Sequence, residues 1–200
     1  MGYTIVSQLL ADGRKVRALV LQGDVLASRL PPQAEICYGN VLDPLSLETF
    51  FCVSPDYDIF VIHAAGIVTT SLKYQPIVYD VNVRGTRNVI DAAIKFKATK
   101  LVYVSSVHAI PEKPEGCVIT ESCDFSPGLV DGDYAKSKAA ATELVFNAAE
   151  RGLNASIVFP SGIIGPGDIQ GGSFTSMAKS FLAGKLPFAV RGGYNFVDVR

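Results

Sequence analysis

The chain has 200 residues, 48% apolar and 18% charged, with 18 Lys and Arg against 19 Asp and Glu. That composition excludes a disordered chain, and a formal net charge of −1 excludes the basic footprint of a general nucleic-acid binder. The length suits one sizeable domain plus part of another, no apolar run reaches membrane-spanning length, and the opening MGYTIVSQLLADGRK lacks the basic lead of a secretion signal.

Residues 3–10 carry Ile5, Val6, Leu9 and Leu10 at helical spacing, with Gly13 placed to stop the helix. Residues 15–21 and 34–38 read as short strands. Asp43 is placed to cap a helix through Leu45, Leu47, Phe50 and Phe51. Residues 57–63 (YDIFVIH) form an apolar run, which predicts a strand covered on both faces; residues 101–105 and 155–159 read the same way. From Pro76 a stripe of Val78, Val81, Gly85, Val89, Ala92 and Phe96 predicts one long helix. From Asp133 the stripe Tyr134, Lys138, Ala141, Val145 and Ala148 predicts a second.

Past Pro160 the texture changes. Gly162, Gly165, Gly167, Gly171 and Gly172 crowd a loop before a helix over residues 173–182. Alternating strands and helices predict an α/β fold, a doubly wound parallel sheet with helices on both faces. Residues 1–160 read as a nucleotide-binding domain and 161–200 as the beginning of a smaller lobe. Cys37, Cys52, Cys117 and Cys123 are scattered, form no C-x-x-C pair, and have only His63 and His108 for company. That pattern argues against a metal site and for the reduced thiols of a cytoplasmic protein.

Tyr134 and Lys138 stand four apart and so share one helix face. A free phenol, with a pKa of about 10, exchanges protons poorly at neutral pH, and a nearby ammonium lowers that value. The pair then suits general acid or base work on a carbonyl or hydroxyl. Many surface helices carry Tyr and Lys at this spacing. This pair, however, begins the same stripe as Ala141 and Val145, and so faces the core, where an unpaired Lys is costly.

Ser105 and Ser106 follow a strand at its carboxyl end, where open α/β sheets bind ligands, though a turn or helix cap uses serines equally well. Ala64, Ala65 and Gly66 follow another strand end, small enough for an extended ligand to approach, while His63 before them reads as a structural histidine. Asn82 falls beside an apolar stripe and needs partners there. Gly85 costs about 1 kcal/mol of helix propensity relative to Ala, so a close packing contact is expected to offset it.

In this order the motifs resemble the short-chain dehydrogenase/reductase superfamily, specifically its extended branch, the NAD-dependent epimerase/dehydratase family. The resemblance covers almost the whole chain. It implies a catalytic set of Ser106, Tyr134 and Lys138, in which the lysine lowers the tyrosine pKa. It implies cofactor contacts from Gly2, Asn40, Val41, Ala64, Ala65, Gly66, Asn82, Ser105, Tyr134, Lys138 and Pro160. Asn40 stands where the family usually has Asp. The implied cofactor is NAD or NADP, and Asp24 past the strand at 15–21 points to NAD.

The resemblance also implies a small-molecule substrate and a homodimer through the two long helices, while the near-neutral charge and the short apolar runs predict no nucleic-acid or membrane partner. Val107, His108, Ala109 and Ile110 replace the Val-Tyr-Gly of many nucleotide-sugar epimerases. That tilts the reading toward dihydroflavonol reductases and hydroxysteroid dehydrogenases. A nucleotide-sugar epimerase or dehydratase with retained NAD, or a non-catalytic dinucleotide sensor, are the alternatives. The family opens with a strand and three glycines, of which Gly2 matches only the last. A fragment is therefore expected, lacking the first strand at the centre of the sheet and stopping inside the substrate lobe. The strands flanking that gap would pair directly, rearrange or leave their edges open.

Overall fold

Strands of three to five residues alternate with helices along the chain. The computed structural model describes residues 1–71, 73–114, 116–121, 124–168, 171–186 and 192–200. Helix α1 (Gly2–Ala11) is followed by β1 (Arg17–Val20), β2 (Glu35–Tyr38), α2 (Pro44–Phe51) and β3 (Phe60–His63). Next, α3 (Pro76–Tyr79), a π-helical segment (Asp80–Arg84) and α4 (Gly85–Lys95) run on without a break. Then come β4 (Lys100–Val104), α5 (Asp133–Glu150), β5 (Ala155–Val158), β6 (Gly162–Ile164), α6 (Ser173–Leu182) and β7 (Phe196–Asp198). The predicted elements are all present. The structure adds β6 inside the glycine-rich stretch and a π turn inside the long helix.

Local chemistry explains the boundaries. The Asp43 carboxylate accepts from the Leu45 amide at 3.0 Å, and Pro44 occupies the first turn of α2. Pro76 opens α3 in the same way.

Every strand pair is parallel: β1 with β2, β3 with β4 with β5, and β6 with β7. This is a Rossmann-like α/β arrangement. Among the described residues β1 and β3 each pair on one side only, so the gap foreseen between them is left as two unpaired edges. The two sheets still touch near their amino ends. Lys15 Nζ donates to Tyr57 Oη at 2.5 Å, and Arg17 Nη1 donates to the Phe50 and Cys52 carbonyls at 2.9 and 3.0 Å.

The core lies on one face of the sheet. Leu47 and Phe51 of α2, Val89, Ile90 and Ala93 of α4, and Ala141 and Val145 of α5 pack over Leu101 and Tyr103 of β4. Here β3 departs from its sequence pattern. Ile59 and Val61 join the core, but Phe60 is 68% exposed and Ile62 39%. The expectation of cover on both faces is corrected for a physical reason. Helices α2, α4 and α5 share one face, and α1 buries none of its residues.

Gly85 shows the packing that its helix position called for. A Cβ there would stand 2.7 Å from Val41 Cγ2. The contact is reinforced by Asn88 Nδ2, which donates to the Val41 carbonyl at 2.9 Å. Gly85→Val is therefore expected to lower stability by about 1–3 kcal/mol through overpacking. Urea unfolding checks this, and an unchanged midpoint would remove the packing explanation.

Candidate active site

Strands β3, β4 and β5 are parallel, so their carboxyl ends open at one edge of the sheet, and three loops meet there. Ser106 follows β4 directly; its Oγ accepts from the His108 amide at 3.3 Å and starts a short 3-10 turn. The Val107 amide donates to the Pro160 carbonyl at 3.1 Å, tying the loop after β4 to the loop after β5. Tyr134 and Lys138 stand on the first turns of α5, above these loops.

The Tyr134 phenol is half-buried, and burial raises its pKa. The Ser106 hydroxyl beside it opposes the rise by favouring the phenolate, and Tyr194 adds to it. Lys138, which the resemblance pairs with Tyr134, is not among the causes of that shift in this structure. Its ammonium donates to Tyr103 Oη at 2.9 Å and to the Val104 carbonyl at 2.7 Å. Burial lowers its pKa to about 8. In this structure the depressing neighbour of the phenol is therefore Ser106, because the lysine is engaged with β4.

A buried polar network surrounds this pair. Asn82 accepts from the Ile67 amide at 2.8 Å and donates to the Ile67 carbonyl and Ser137 Oγ, each at 2.9 Å. It thereby pins the loop after β3 to α5. Ser137 Oγ in turn donates to the Tyr134 carbonyl at 2.7 Å. Thr86 donates to the Asn82 carbonyl at 2.6 Å, so its oxygen accepts at 2.9 Å from His63 Nε2. His63 is a neutral structural histidine, as its sequence context suggested. Burial, with Lys138 adding, lowers its pKa to about 3.

The other sequence-derived positions divide. Ala64 is half-buried, and Ala65 and Gly66 are exposed past the end of β3. Pro160 is half-buried past β5. Ser105, expected to line the cofactor, is corrected to an internal tie: its hydroxyl bonds Thr142 Oγ1 at 2.6 Å, and Thr142 donates to the Lys138 carbonyl at 2.7 Å. Val41, expected against the adenine, is a core residue beneath Gly85. Asn40 is exposed, and its side chain closes a turn by accepting from the Leu42 amide at 2.9 Å. Asp24 does the same with the Leu26 amide at 2.9 Å. Gly2, Asn40 and Val41 belong to the β1–β2 region, Ser106, Tyr134 and Lys138 to β4 and α5.

Three residues beside the site were assigned no role in it by the sequence reading. The His108 ring lies 6.1 Å from that of Tyr134, edge-on, and its Nε2 bonds Tyr194 Oη at 2.9 Å. Tyr194 stands against Phe174 and Phe196 at 5.3 and 5.6 Å between ring centroids. Its position two residues after Ser106 could have singled out His108. Tyr103 shares its sheet face with Leu101, and only its hydroxyl signals more than packing. Nothing local marks Tyr194. Cys37, Cys52 and Cys117 are free thiols, and Cys123 lies outside the described residues. Among the described residues no group of three or more His, Cys, Asp or Glu gathers to hold a metal.

The profile of the NAD dependent epimerase/dehydratase family matches residues 1–199. The chain belongs to this family. Sterol demethylase protein B of Methylococcus capsulatus is 30% identical over 201 residues, covering 100% of this chain and 60% of that protein. The 3beta-hydroxysteroid-dehydrogenase/decarboxylase isoform 1 of Arabidopsis thaliana is 36% identical over 131 residues, 64% of this chain and 29% of that protein. The crystal structure of gox2253 superposes with a TM-score of 0.89 at 29% identity, covering 99% of this chain and 59% of that one. The chain thus spans 60% or less of the length of these relatives.

The family's cofactor is NAD or NADP, and the residues present fit such a group. The first turn of α1, where Gly2 stands, carries no acidic residue, which suits a phosphate. Ala65 and Gly66 offer a low, exposed strip. Lys138 has three N–H donors and the protein takes two.

The His63 shift carries a pH dependence. The unfolded chain binds the imidazole proton below about pH 6.5, while the folded chain resists it until about pH 3. Between these values the unfolded state holds more protons, so stability falls on acidification, by up to about 1.4 kcal/mol per pH unit. Urea unfolding from pH 4 to pH 7 is expected to show this slope, and His63→Gln to flatten it by about one proton's worth.

Proposed function

We propose that the whole protein is an NAD(P)-dependent oxidoreductase that moves a hydride to or from a secondary alcohol or ketone. The observation that carries this reading is the Ser106 hydroxyl beside the Tyr134 phenol, with the Lys138 ammonium buried one helical turn along. Ser106 holds the substrate oxygen by a hydrogen bond. Tyr134 takes the hydroxyl proton in oxidation and returns it to the carbonyl oxygen in reduction. The Lys138 charge steadies the phenolate that forms. The dinucleotide, when bound, supplies or accepts the hydride. Asn82 and Ser137 keep the loop after β3 and the start of α5 at a fixed separation, so that the reacting groups are aligned before substrate arrives.

The aromatic group of Phe174, Tyr194 and Phe196 next to His108 supports a flat, apolar, ring-bearing substrate of the hydroxysteroid or dihydroflavonol kind. The names of the two enzymes compared above point the same way. In this reading residues 1–160 bind the dinucleotide and 161–200 begin the substrate lobe. A homodimer through α4 and α5 is supported by Ile94, 55% exposed on α4. The free thiols at Cys37, Cys52 and Cys117 support the cytoplasm as its place. Among the described residues no helix is long and apolar enough to cross a membrane.

The test is NADH or NADPH formation by the full-length protein from a 3β-hydroxysteroid or a dihydroflavonol alcohol. Tyr134→Phe is expected to reduce kcat by about 10²–10⁴-fold while NADH affinity changes less than about twofold. Unchanged turnover in that variant rejects the proton-transfer role. Redox-neutral conversion without released NADH or NADPH would replace the reading with an epimerase or dehydratase.

A further inference from the structure

An ammonium in the core needs acceptors for its donors. Lys138 is 5% exposed, and no carboxylate figures among the causes of its shifted pKa, where burial stands alone. Its acceptors are the Val104 carbonyl and the Tyr103 hydroxyl, both on β4. Every residue type supplies a carbonyl. The hydroxyl is a choice of side chain, since Phe at 103 would fill nearly the same space without it.

That choice carries a cost which the structure meets. Tyr103 is 1% exposed, and a buried phenol must have partners. Its oxygen accepts from Lys138, and the Thr86 hydroxyl is the neighbour that opposes the burial-driven rise in its pKa. Thr86 passes its own proton to the Asn82 carbonyl and takes one from His63. The ammonium, Tyr103 and Thr86 therefore lie in one buried polar cluster that ends at a backbone carbonyl. The titratable groups facing Lys138 are Tyr103 from β4 and His63 from β3, with Tyr134 one turn earlier on α5.

We propose that Tyr103 is a positioning residue for Lys138: its hydroxyl and the Val104 carbonyl hold two of the ammonium's three donors, leaving the third for a ribose hydroxyl of the dinucleotide or for the Tyr134 phenol. This rests on the reading of Lys138 as the lysine that meets the cofactor. The polarity of the Lys138–Tyr103 bond also fixes its role. Tyr103 accepts from the ammonium and so favours the charged form, against the burial that disfavours it.

The experiment is a pH titration of the full chain carrying lysine labelled with ¹³C and ¹⁵N, followed by NMR at the side-chain nitrogen. Lys138→Met assigns the signal. In Tyr103→Phe the Lys138 midpoint is expected to fall by about one unit, and in Thr86→Val to shift by about half as much. NADH affinity, read by fluorescence, gives a second measure. The ratio of variant to wild-type Kd for Tyr103→Phe is expected to be about threefold larger at about pH 7.5 than at about pH 6, where both lysines are charged. An unmoved Lys138 midpoint in Tyr103→Phe overturns the proposal; if that variant does not fold, an unmoved midpoint in Thr86→Val does so. A loss of NADH affinity equal at both pH values also overturns it, since a purely structural defect behaves that way. A moved midpoint in a wild-type chain that binds no NADH leaves the Tyr103–Lys138 coupling standing and counts against the dinucleotide reading alone.

Discussion

The arrangement around α5 follows from one constraint, the placing of a lysine ammonium in the core with no carboxylate among the described residues to neutralise it. Desolvating such a charge is expensive, and dipoles have to replace the water it loses. The Val104 carbonyl and Tyr103 hydroxyl do this from β4. Hydrogen bonds to a charged group contribute about 1.5–3 kcal/mol each, more than a neutral pair contributes, so these two contacts govern how the helix sits on the strand. The Ser105–Thr142 pair and the Asn82–Ser137 bond join the same helix to β4 and to the π-helical segment. Together they leave α5 little freedom to slide, and Tyr134 at its first turn is held with it.

The π segment belongs to the same solution. A π turn inserts one residue into a helix and redirects the side chains around it. In this chain Asn82 lies inside that turn, 1% exposed, with four hydrogen-bonding roles filled: side-chain bonds to the Ile67 amide, the Ile67 carbonyl and Ser137, and a carbonyl that accepts from Thr86. Three residues later, just past the π segment, Gly85 lets α4 close on Val41. The Asn-x-x-Gly-Thr pattern thus holds three separate elements in register, and its glycine and its asparagine do different work.

Much of this was legible in the sequence because it depends on periodicity and local chemistry. Stripes at helical spacing located α4 and α5, and Asp43 followed by proline located the start of α2. Less legible was anything that depends on which neighbour arrives from far along the chain. Ser105 and Ser106 are adjacent, and strand geometry sends their side chains to opposite faces; only the packed helix shows that Ser105 meets Thr142 and Ser106 meets Tyr134. Val41, a cofactor contact only by the family resemblance, packs in the core where Gly85 leaves room for it. The pattern at 57–63 promised two covered faces, yet cover is supplied by whichever helices pack there, and those chose one face. Lys138 was rightly placed inward, but its partner Tyr103 reads in sequence as one more aromatic strand residue.

The division of the site between sheets has a consequence for the chemistry. In the proposed reading the proton-transfer groups sit just past β4 and on α5; β4 is joined to β3 and β5 by backbone ladders, and β4 and α5 pack with α4 in the main core. The β1–β2 pair reaches that core through Leu19 and Val41 and through the Arg17 and Lys15 contacts near the strand beginnings. The reacting end is therefore braced by buried polar bonds that an apolar core could not replace, while the β1–β2 end is attached mainly by packing and exposed contacts. Buried polar bonds fix orientation more sharply than packing does, because a small rotation breaks them outright while dispersion contacts only weaken. A site that must align a phenol, a hydroxyl and an ammonium needs that sharpness at one end only, and this chain concentrates it between the end of β4 and the first turns of α5.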